Sequence, residues 1–349
     1  MRKSLYDISW QVPEEDYRQD HALSYSTLAK YEREGFNKLN SLFDRVETAS
    51  LTFGSAVDSI ITGGMKEFEE RFLVCDLPDI PDSIITLIKS LYNLYGTTYN
   101  SLYDMPDKDI IELTEVNKYQ LNWKPETRAK VIREKGAVYY NYLFLSNNKT
   151  ILSSDEYVKV QLAVQALKES PSTKWYFEEN NPFDDSIERL YQLKFKATLD
   201  QDINYRCMAD LIIIDHKNKE IIPCDLKTSY KPEWDFYKSF IDWRYDIQAK
   251  LYYRIIKENI KNDSYFKDFI LKPYRFIVIN KETLTPLVWE FPDTAQYYDL
   301  EFGKNKQIVL RDPEVIGKEL TYYLNNSNRV PIGIELDKTN NINYWLNQL

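Results

Sequence analysis

The hydrophobic period of the chain changes after Pro171, from the spacing of helices to the alternation and apolar runs of strands. Strands are predicted over 186–195, 205–215 and 220–228, and a hairpin over 274–280 and 286–291. Between these groups, apolar residues recur every fourth position and predict a helix from Trp243 to about Glu258. A chain with this pattern is expected to build a β-sheet and to cover it with helices.

The first half of the chain has the helical period instead. Helices are predicted from Ser24 to about Leu42, from Gly54 to Gly64, through most of 78–136, and from Ser153 to Ser170. The spacing of Ser153 and Glu156 is typical of a capping box. The predicted fold class is therefore α/β (α+β), with a central mixed β-sheet flanked by helices and a helical N-terminal elaboration.

No internal repeat and no low-complexity linker divides the sequence, which favours a single domain over 1–349. We predict a helical part at about 20–170, a core at about 180–292 and a loop-rich C-terminal extension at about 293–349.

Composition excludes several classes of protein. The chain has 349 residues but only 9 glycines, and none fits the glycine-rich phosphate loops of ATPases or nicotinamide enzymes. Its 3 cysteines are too few and too scattered for a disulfide framework, a C-x-x-C zinc site or a four-cysteine iron–sulfur cluster, and its 2 histidines disfavour a His-rich metal site. The sequence has neither a stretch apolar enough to span a membrane nor a signal-peptide pattern. We expect a cytoplasmic protein, without a membrane association, whose chemistry depends on carboxylates and lysines.

The residues that suit such chemistry lie on the predicted strand pair. Asp210 precedes the apolar run of one strand, and Asp225 and Lys227 lie on the next. Residues two apart on a strand, about 6.6 Å along the chain, face the same side, so Asp225 and Lys227 share one face. The turn can bring Asp210 beside them. Two carboxylates without a histidine favour a hard ion such as Mg²⁺, and a nearby ammonium can help deprotonate a water and offset charge on a phosphoryl group.

An Asp-x-Lys sequence on a strand is common and is weak evidence by itself. Its position at the end of a buried sheet strengthens it, because an unpaired charge there is costly. On the following helix, Gln248 and Tyr252 are four residues apart and share one face. They can hydrogen-bond the lysine, a water or a substrate phosphate. The alternative is an ordinary amphipathic helix in which Tyr252 is half-buried.

Three segments in this order resemble the PD-(D/E)xK nucleases, in the RecB-like branch that includes the lambda-type exonucleases and exonuclease VIII. They are Met208-Ala209-Asp210, Cys224-Asp225-Leu226-Lys227-Thr228 and Gln248-Ala249-Lys250-Leu251-Tyr252. Residues 23–26, 54–58 and 152–156 are also similar to segments of exonuclease VIII-like phage proteins, so the resemblance extends loosely over roughly two-thirds of the chain. It implies a restriction-endonuclease-like fold with its catalytic core at about 180–292.

The resemblance also implies metal ligands at matching positions. Asp210 and Asp225, joined by the backbone carbonyl of Leu226, would bind Mg²⁺, for which Mn²⁺ can substitute. Glu188, on the preceding strand, matches the upstream acidic position of the family more weakly. Asp58 stands where many relatives have a histidine, and it is either an oxygen ligand or a solvated helix residue.

By the same resemblance, Lys227 would be the catalytic lysine, and Gln248 and Tyr252 would orient the lysine and the DNA. The protein would be a stand-alone nuclease of the kind that phages encode beside a single-strand annealing protein. Expected partners are therefore DNA, such an annealing protein, and further copies of the chain in a homo-oligomer.

The net charge opposes DNA binding, because 45 basic and 54 acidic residues leave the chain at −9. One segment, 117–136, is locally basic, with six basic and two acidic residues and with aromatic rings on which bases can stack. Its candidate DNA-binding residues are Lys118, Trp123, Lys124, Arg128, Lys130 and Arg133. The alternative is a solvated helix face.

Two classes of function stay open. The first is a metal-dependent DNA nuclease, an exonuclease on linear double-stranded ends in phage recombination or replication. The second is a catalytically silent nucleic-acid-binding or phage structural protein with the same fold. The presence of Asp210, Asp225 and Lys227 together favours the enzyme. An endonuclease or an RNA-directed enzyme with the same site is not distinguished from the first class by sequence.

Overall fold

A computed structural model describes residues 2–43, 49–76, 79–146, 149–181, 183–199, 202–292, 297–299, 306–308 and 310–326. The helices there are α1 (Glu14–Gln19), α2 (Tyr25–Glu34), α3 (Ala49–Arg71), α4 (Asp82–Tyr95), α5 (Asp107–Val116), α6 (Pro125–Ser146), α7 (Ser154–Glu169), α8 (Phe236–Asp242), α9 (Tyr245–Lys261) and α10 (Pro313–Asn325). The strands are β1 (Phe72–Val74), β2 (Thr150–Leu152), β3 (Ile187–Leu199), β4 (Ile203–Asp215), β5 (Glu220–Ser229), β6 (Ile270–Leu271), β7 (Tyr274–Asn280), β8 (Pro286–Phe291), β9 (Tyr297–Asp299) and β10 (Lys306–Ile308).

The chain packs into two compact units, one formed by residues 1–54 and 163–349, the other by residues 55–162. The first unit contains a sheet of strand order β3-β4-β5-β7-β8, with β6 paired to β5. Strand β5 runs parallel to β7, whereas the β3–β4, β4–β5 and β7–β8 pairs are antiparallel. This mixed sheet, flanked by helices, confirms the predicted α/β class.

Helix α9 covers the sheet by packing against β3, β4 and β7. Its residues Ile247, Leu251 and Ile255 are fully buried, as their spacing of four predicted. Burial of each such side chain contributes about 1.5–3 kcal/mol, which fixes the helix on the sheet. The side chains that α9 carries beside this stripe are therefore held in place over the ends of β4 and β5.

Most predicted elements of the first unit are confirmed. Strands β4 and β5 contain the predicted strands 205–215 and 220–228, and β7 and β8 have the predicted bounds. Strand β3 begins one residue after the predicted start at 186 and extends beyond 195 to Leu199. Helix α9 begins at Tyr245, two residues later than predicted, because Arg244 has a left-handed backbone with φ of 54°. The predicted helix from Ser24 has its N-cap there but stops at Glu34, because Gly35 has φ of 72°.

Of three other expectations, one needs correction, one is confirmed and one is incomplete. The helix predicted over 54–64 is longer on both sides, and Gly64, with φ of 73°, kinks it without ending it. The capping box of Ser153 and Glu156 is confirmed by reciprocal bonds of 2.9 and 3.2 Å. The extension beyond 292 contains α10, capped by the Asp312 side chain, which the sequence prediction missed. Residues 327–349 of the extension lie outside the described part.

The second unit is helical, apart from the short parallel pair β1–β2. Helices α4, α5 and α6 pack on one another around a core that includes Ile84, Ile88 and Ile132. Helix α6 approaches α4 at Gly136, where an added Cβ would lie 2.4 Å from the buried Ile88 Cδ1. In the described residues of either unit, no helix is both long and apolar enough to cross a membrane.

The close approach at Gly136 generates a stability prediction. Alanine is favoured over glycine in a helix by about 1 kcal/mol, but overpacking a core costs about 1–3 kcal/mol. We expect Gly136→Ala to lower the free energy of unfolding by about 1 kcal/mol in urea denaturation. Ile88→Val removes the clashing Cδ1, so the double variant should be more stable than the sum of the two single effects predicts. Simple additivity would contradict this packing.

Candidate active site

The register of β4 and β5 places Asp210 opposite Asp225. The last paired residues are Leu211 and Cys224, and the next position on each strand is one of these two aspartates. Opposite residues of an antiparallel pair carry their side chains on the same face, about 4.5–5.5 Å apart. The two carboxylates therefore meet where the strands cease to be paired, as the sequence predicted.

Asp225 is the centre of the contacts at this point, although only 2% of its side chain is exposed. The Lys227 ammonium lies 2.5 Å from Asp225 Oδ2, so both residues face the same side of β5. Gln248 of α9 donates a hydrogen bond from Nε2 to Asp225 Oδ1. The sequence predicted that Gln248 would orient the lysine, whereas the structure places its amide on the carboxylate.

Lys227 lies in an environment that keeps it charged. Burial disfavours the ammonium, but Asp225, Tyr245 and Asp210 outweigh it and raise the lysine pKa above its ordinary value. The Nζ atom lies 4.8 Å from the centre of the Tyr245 ring, a cation–π contact. The lysine is therefore a fixed ammonium beside the carboxylates and acts there as a hydrogen-bond donor.

Asp210 interrupts the sheet on both sides. Its Oδ2 accepts a hydrogen bond of 2.9 Å from the Leu226 backbone N–H. The N–H and C=O groups of one strand residue point to the same edge, so the Leu226 carbonyl also faces the gap beside Asp210. Across β3, the residue opposite Asp210 is Gln192, which is skipped in the pairing and has a left-handed backbone with φ of 52°.

The donors at this point fit a hard divalent cation. Asp225 Oδ2 and Gln248 Oε1 are buried oxygens without a hydrogen bond of normal geometry. No group of three or more His, Cys, Asp or Glu side chains converges within the described ranges. Two carboxylates are nevertheless enough for Mg²⁺, which proteins commonly bind through one or two carboxylates together with water and substrate phosphates.

One predicted metal ligand, Glu188, lies away from the two aspartates. Glu188 pairs with Ile214, four positions along β4 from Asp210, and its carboxylate contacts Ser4 and His216 at 2.7 and 3.2 Å. It therefore does not join the two aspartates. Asp58 is half-buried on α3 and belongs to the second unit.

Tyr252 is a core residue rather than a surface contact. It is buried against Tyr274 at a ring distance of 6.1 Å. Burial is the main reason that its pKa is raised well above the usual value for a phenol. Its hydroxyl is not positioned to contact a DNA strand at the surface, in contrast to the predicted role.

The predicted DNA-binding segment of the second unit divides into two groups. Lys118, Trp123, Lys124 and Lys130 are exposed, the last of them 3.7 Å from Glu134. Arg128 and Arg133 instead hold the unit together. Arg128 is buried and bonds Glu115 at 3.2 Å, and Arg133 donates to the carbonyls of Leu102 and Met105 at 3.0 and 2.6 Å. These two guanidinium groups are used inside the fold and are not available to phosphates.

Sequence reasoning missed two neighbours of the aspartates. Tyr245 lies three residues before Gln248, so the helical period could have placed both on one face. Gln192 has no such signal, because a glutamine in a strand gives no indication of a left-handed backbone.

No family model matches the sequence, and a search of the curated proteins finds no significant match.

The backbone of Gln192 generates a second prediction. A left-handed conformation costs a non-glycine residue about 1–2 kcal/mol, and more for a β-branched side chain. In thermal unfolding we expect Gln192→Gly to be more stable than Gln192→Val by at least about 1 kcal/mol. Thr198 is an exposed position on the same strand, and it serves as the control. Thr198→Val should be more stable than Thr198→Gly, which is the usual order for strands. The same order at both positions would refute strain at Gln192.

Proposed function

We propose that this protein is a metal-dependent deoxyribonuclease, acting as an exonuclease on the ends of linear double-stranded DNA in phage recombination or replication. The observation that carries the proposal is the position of the two aspartates. Asp210 and Asp225 fall opposite each other at the first unpaired position of β4 and β5, with the Lys227 ammonium 2.5 Å from Asp225. Two carboxylates and one ammonium at a point where two neighbouring strands stop pairing suit phosphodiester hydrolysis.

Asp210, Asp225 and the Leu226 carbonyl are the groups that would hold Mg²⁺ or Mn²⁺. A divalent cation bound there supplies Lewis-acid stabilisation of phosphoryl charge and activates water for attack. The ion pair between Asp225 and Lys227 has a physical reason. Opposed carboxylates repel each other unless a cation lies between them. The ammonium partly offsets this repulsion.

Lys227 contributes as a cation in this proposal. Its raised pKa leaves the ammonium protonated, so it donates a hydrogen bond and offsets negative charge on a phosphoryl oxygen. Tyr245 and Asp225 fix its position from two sides, at 4.8 and 2.5 Å. A fixed donor costs no reorganisation when the charge of the transition state develops.

Gln248 is a positioning residue for the carboxylate. Its amide bonds Asp225 Oδ1 from a helix whose buried stripe is locked onto the sheet. This leaves Asp225 Oδ2 for the lysine or a metal ion. We further propose that DNA is the macromolecular partner and that a single-strand annealing protein accepts the product strand.

Metal dependence gives the most direct test. Linear duplex labelled at its 5′ ends should be degraded with Mg²⁺ or Mn²⁺ and stay intact with EDTA or Ca²⁺, which holds ligands in a looser geometry. Asp210→Asn and Asp225→Asn should each lower the rate by at least about 100-fold while keeping the fold, as judged by circular dichroism. Asp215, the last residue of β4, is a matched control, and Asp215→Asn should cleave normally.

A covalently closed circle serves as the second substrate and should survive. Rapid nicking of the circle would favour an endonuclease at the same site. Cleavage in EDTA equal to that in Mg²⁺ would refute the metal mechanism. Intact linear DNA under every metal condition would favour the non-catalytic alternative.

A further prediction tests whether the site needs only a positive charge at residue 227 or needs that charge in one particular position. Lys227→Ala should lower cleavage by about 10²–10³-fold, the usual cost of a lost transition-state donor, and leave DNA binding in Ca²⁺ unchanged. Lys227→Arg should be almost as inactive, since a planar guanidinium does not fit between Asp225 and Tyr245 as a compact ammonium does. Lys272 pairs with Glu220 at 3.1 Å away from the aspartates, so Lys272→Ala is the control. A near-normal rate for Lys227→Ala would remove this lysine from the site.

A further inference from the structure

Large aromatic side chains are concentrated on the connection between the two elements that carry the site. Between Lys227 on β5 and Gln248 on α9, four rings are strongly exposed. They are Tyr230, Trp234, Tyr237 and Trp243, with exposed fractions of 60%, 64%, 51% and 51%. Single exposed apolar residues are normal on a protein surface, but several on one short connection mark a binding surface.

Trp243 is the residue of this group whose backbone a series of contacts joins to Lys227. Its backbone carbonyl accepts a hydrogen bond of 2.9 Å from the Tyr25 hydroxyl. The Tyr25 ring lies 6.1 Å from the Tyr245 ring, whose centre is 4.8 Å from Lys227 Nζ. The Trp243 backbone is therefore joined to Lys227 through Tyr25 and Tyr245, and its indole is exposed.

A cation accompanies the indole. The Arg33 guanidinium lies 5.2 Å from the centre of the Trp243 ring, and this arginine is exposed. No ion pair of Arg33 is found within the described residues. A second aromatic–cation pair follows β5, where Lys281 Nζ lies 4.6 Å from the Tyr230 ring. Lys281 is itself buried, so of these two pairs it is Arg33–Trp243 that presents both a flat apolar surface and a positive charge to solvent.

We propose that Trp243, with Arg33, is a stacking site for an unpaired nucleotide, and that the protein therefore engages DNA ends through a single strand. An exposed ring stacks on any base whose face is open, and the adjacent cation neutralises the phosphate of the same nucleotide. Base faces are open at every nucleotide of a flexible single strand, whereas a duplex exposes only the outer faces of its terminal base pairs. The inference rests on the proposed nuclease function and names the strand form that the site accepts.

The test is binding without cleavage. A fluorescein-labelled thymidine oligonucleotide of about 12 residues is titrated with protein in EDTA and, separately, in Ca²⁺. An oligonucleotide of the same length with abasic sugars keeps the phosphates but has no bases to stack. We expect the wild-type protein to bind the normal strand at least about tenfold more tightly than the abasic one, the usual effect of one stacked base.

Variants at Trp243 separate stacking from folding. Trp243→Ala and Trp243→Leu should each bind the normal strand about tenfold less tightly and no longer distinguish it from the abasic strand, whereas Trp243→Phe should keep most of the preference. Arg33→Gln should weaken the binding of both strands. It should also lower the salt dependence of binding by the amount that corresponds to about one phosphate contact.

Trp175 offers a matched control in the same unit, because it is 37% exposed and has the Arg189 guanidinium 5.6 Å from its ring. Trp175→Ala should bind both strands as the wild type does.

Two outcomes would overturn the proposal. Equal wild-type binding of the normal and abasic strands would show that the rings do not stack on bases, and the patch would then be a protein-docking face. Wild-type binding by Trp243→Leu would show that this indole is not the stacking ring. The nuclease proposal fails separately, since a protein that binds through Trp243 but leaves DNA intact in Mg²⁺ refutes hydrolysis alone.

Discussion

The repulsion between two opposed carboxylates is the constraint on which the site depends. Asp210 and Asp225 occupy opposite positions of β4 and β5, where like charges destabilise a sheet. The structure offsets this repulsion with the Leu226 N–H on Asp210 and with Lys227 and Gln248 on Asp225. Such an arrangement is costly for stability alone, because replacing a buried ion pair by well-packed apolar residues is often neutral or stabilising. Carboxylates held where two strands stop pairing are suited to binding a cation or a charged substrate.

Helix α9 connects this electrostatic point to the hydrophobic core. Its buried face holds it on β3, β4 and β7, and the same helix places Tyr245 beside Lys227 and Gln248 on Asp225. The connection from the end of β5 to the start of α9 carries the exposed rings up to Trp243. Packing, ion pairing and the proposed nucleotide site therefore depend on the placement of one helix.

Much of this arrangement was predictable, because it follows from short-range periods. The alternation of strands puts Asp225 and Lys227 on one face, and the helical period directs Gln248 toward the sheet. The roles of Glu188, Arg128 and Arg133 were not predictable in this way. Each has the charge that a ligand or a phosphate contact needs, but each is engaged by distant partners: Glu188 by Ser4 and His216, Arg128 by Glu115, and Arg133 by backbone carbonyls. A local charge pattern carries no information about such partners.

The sequence by itself determined the strand pairs, the helix that covers them and the presence of two acids and a lysine at one strand end, since these depend on periods of two and about four residues. Only the tertiary structure decided that the pairing of β4 and β5 stops at Leu211 and Cys224, and that Gln192 has a left-handed backbone opposite Asp210. It also decided that the Trp243 backbone is joined to Lys227 through Tyr25 and Tyr245, and that Arg33 lies over the Trp243 ring. These features depend on which elements pack together, and residues far apart in the chain meet only after the sheet and helices have assembled.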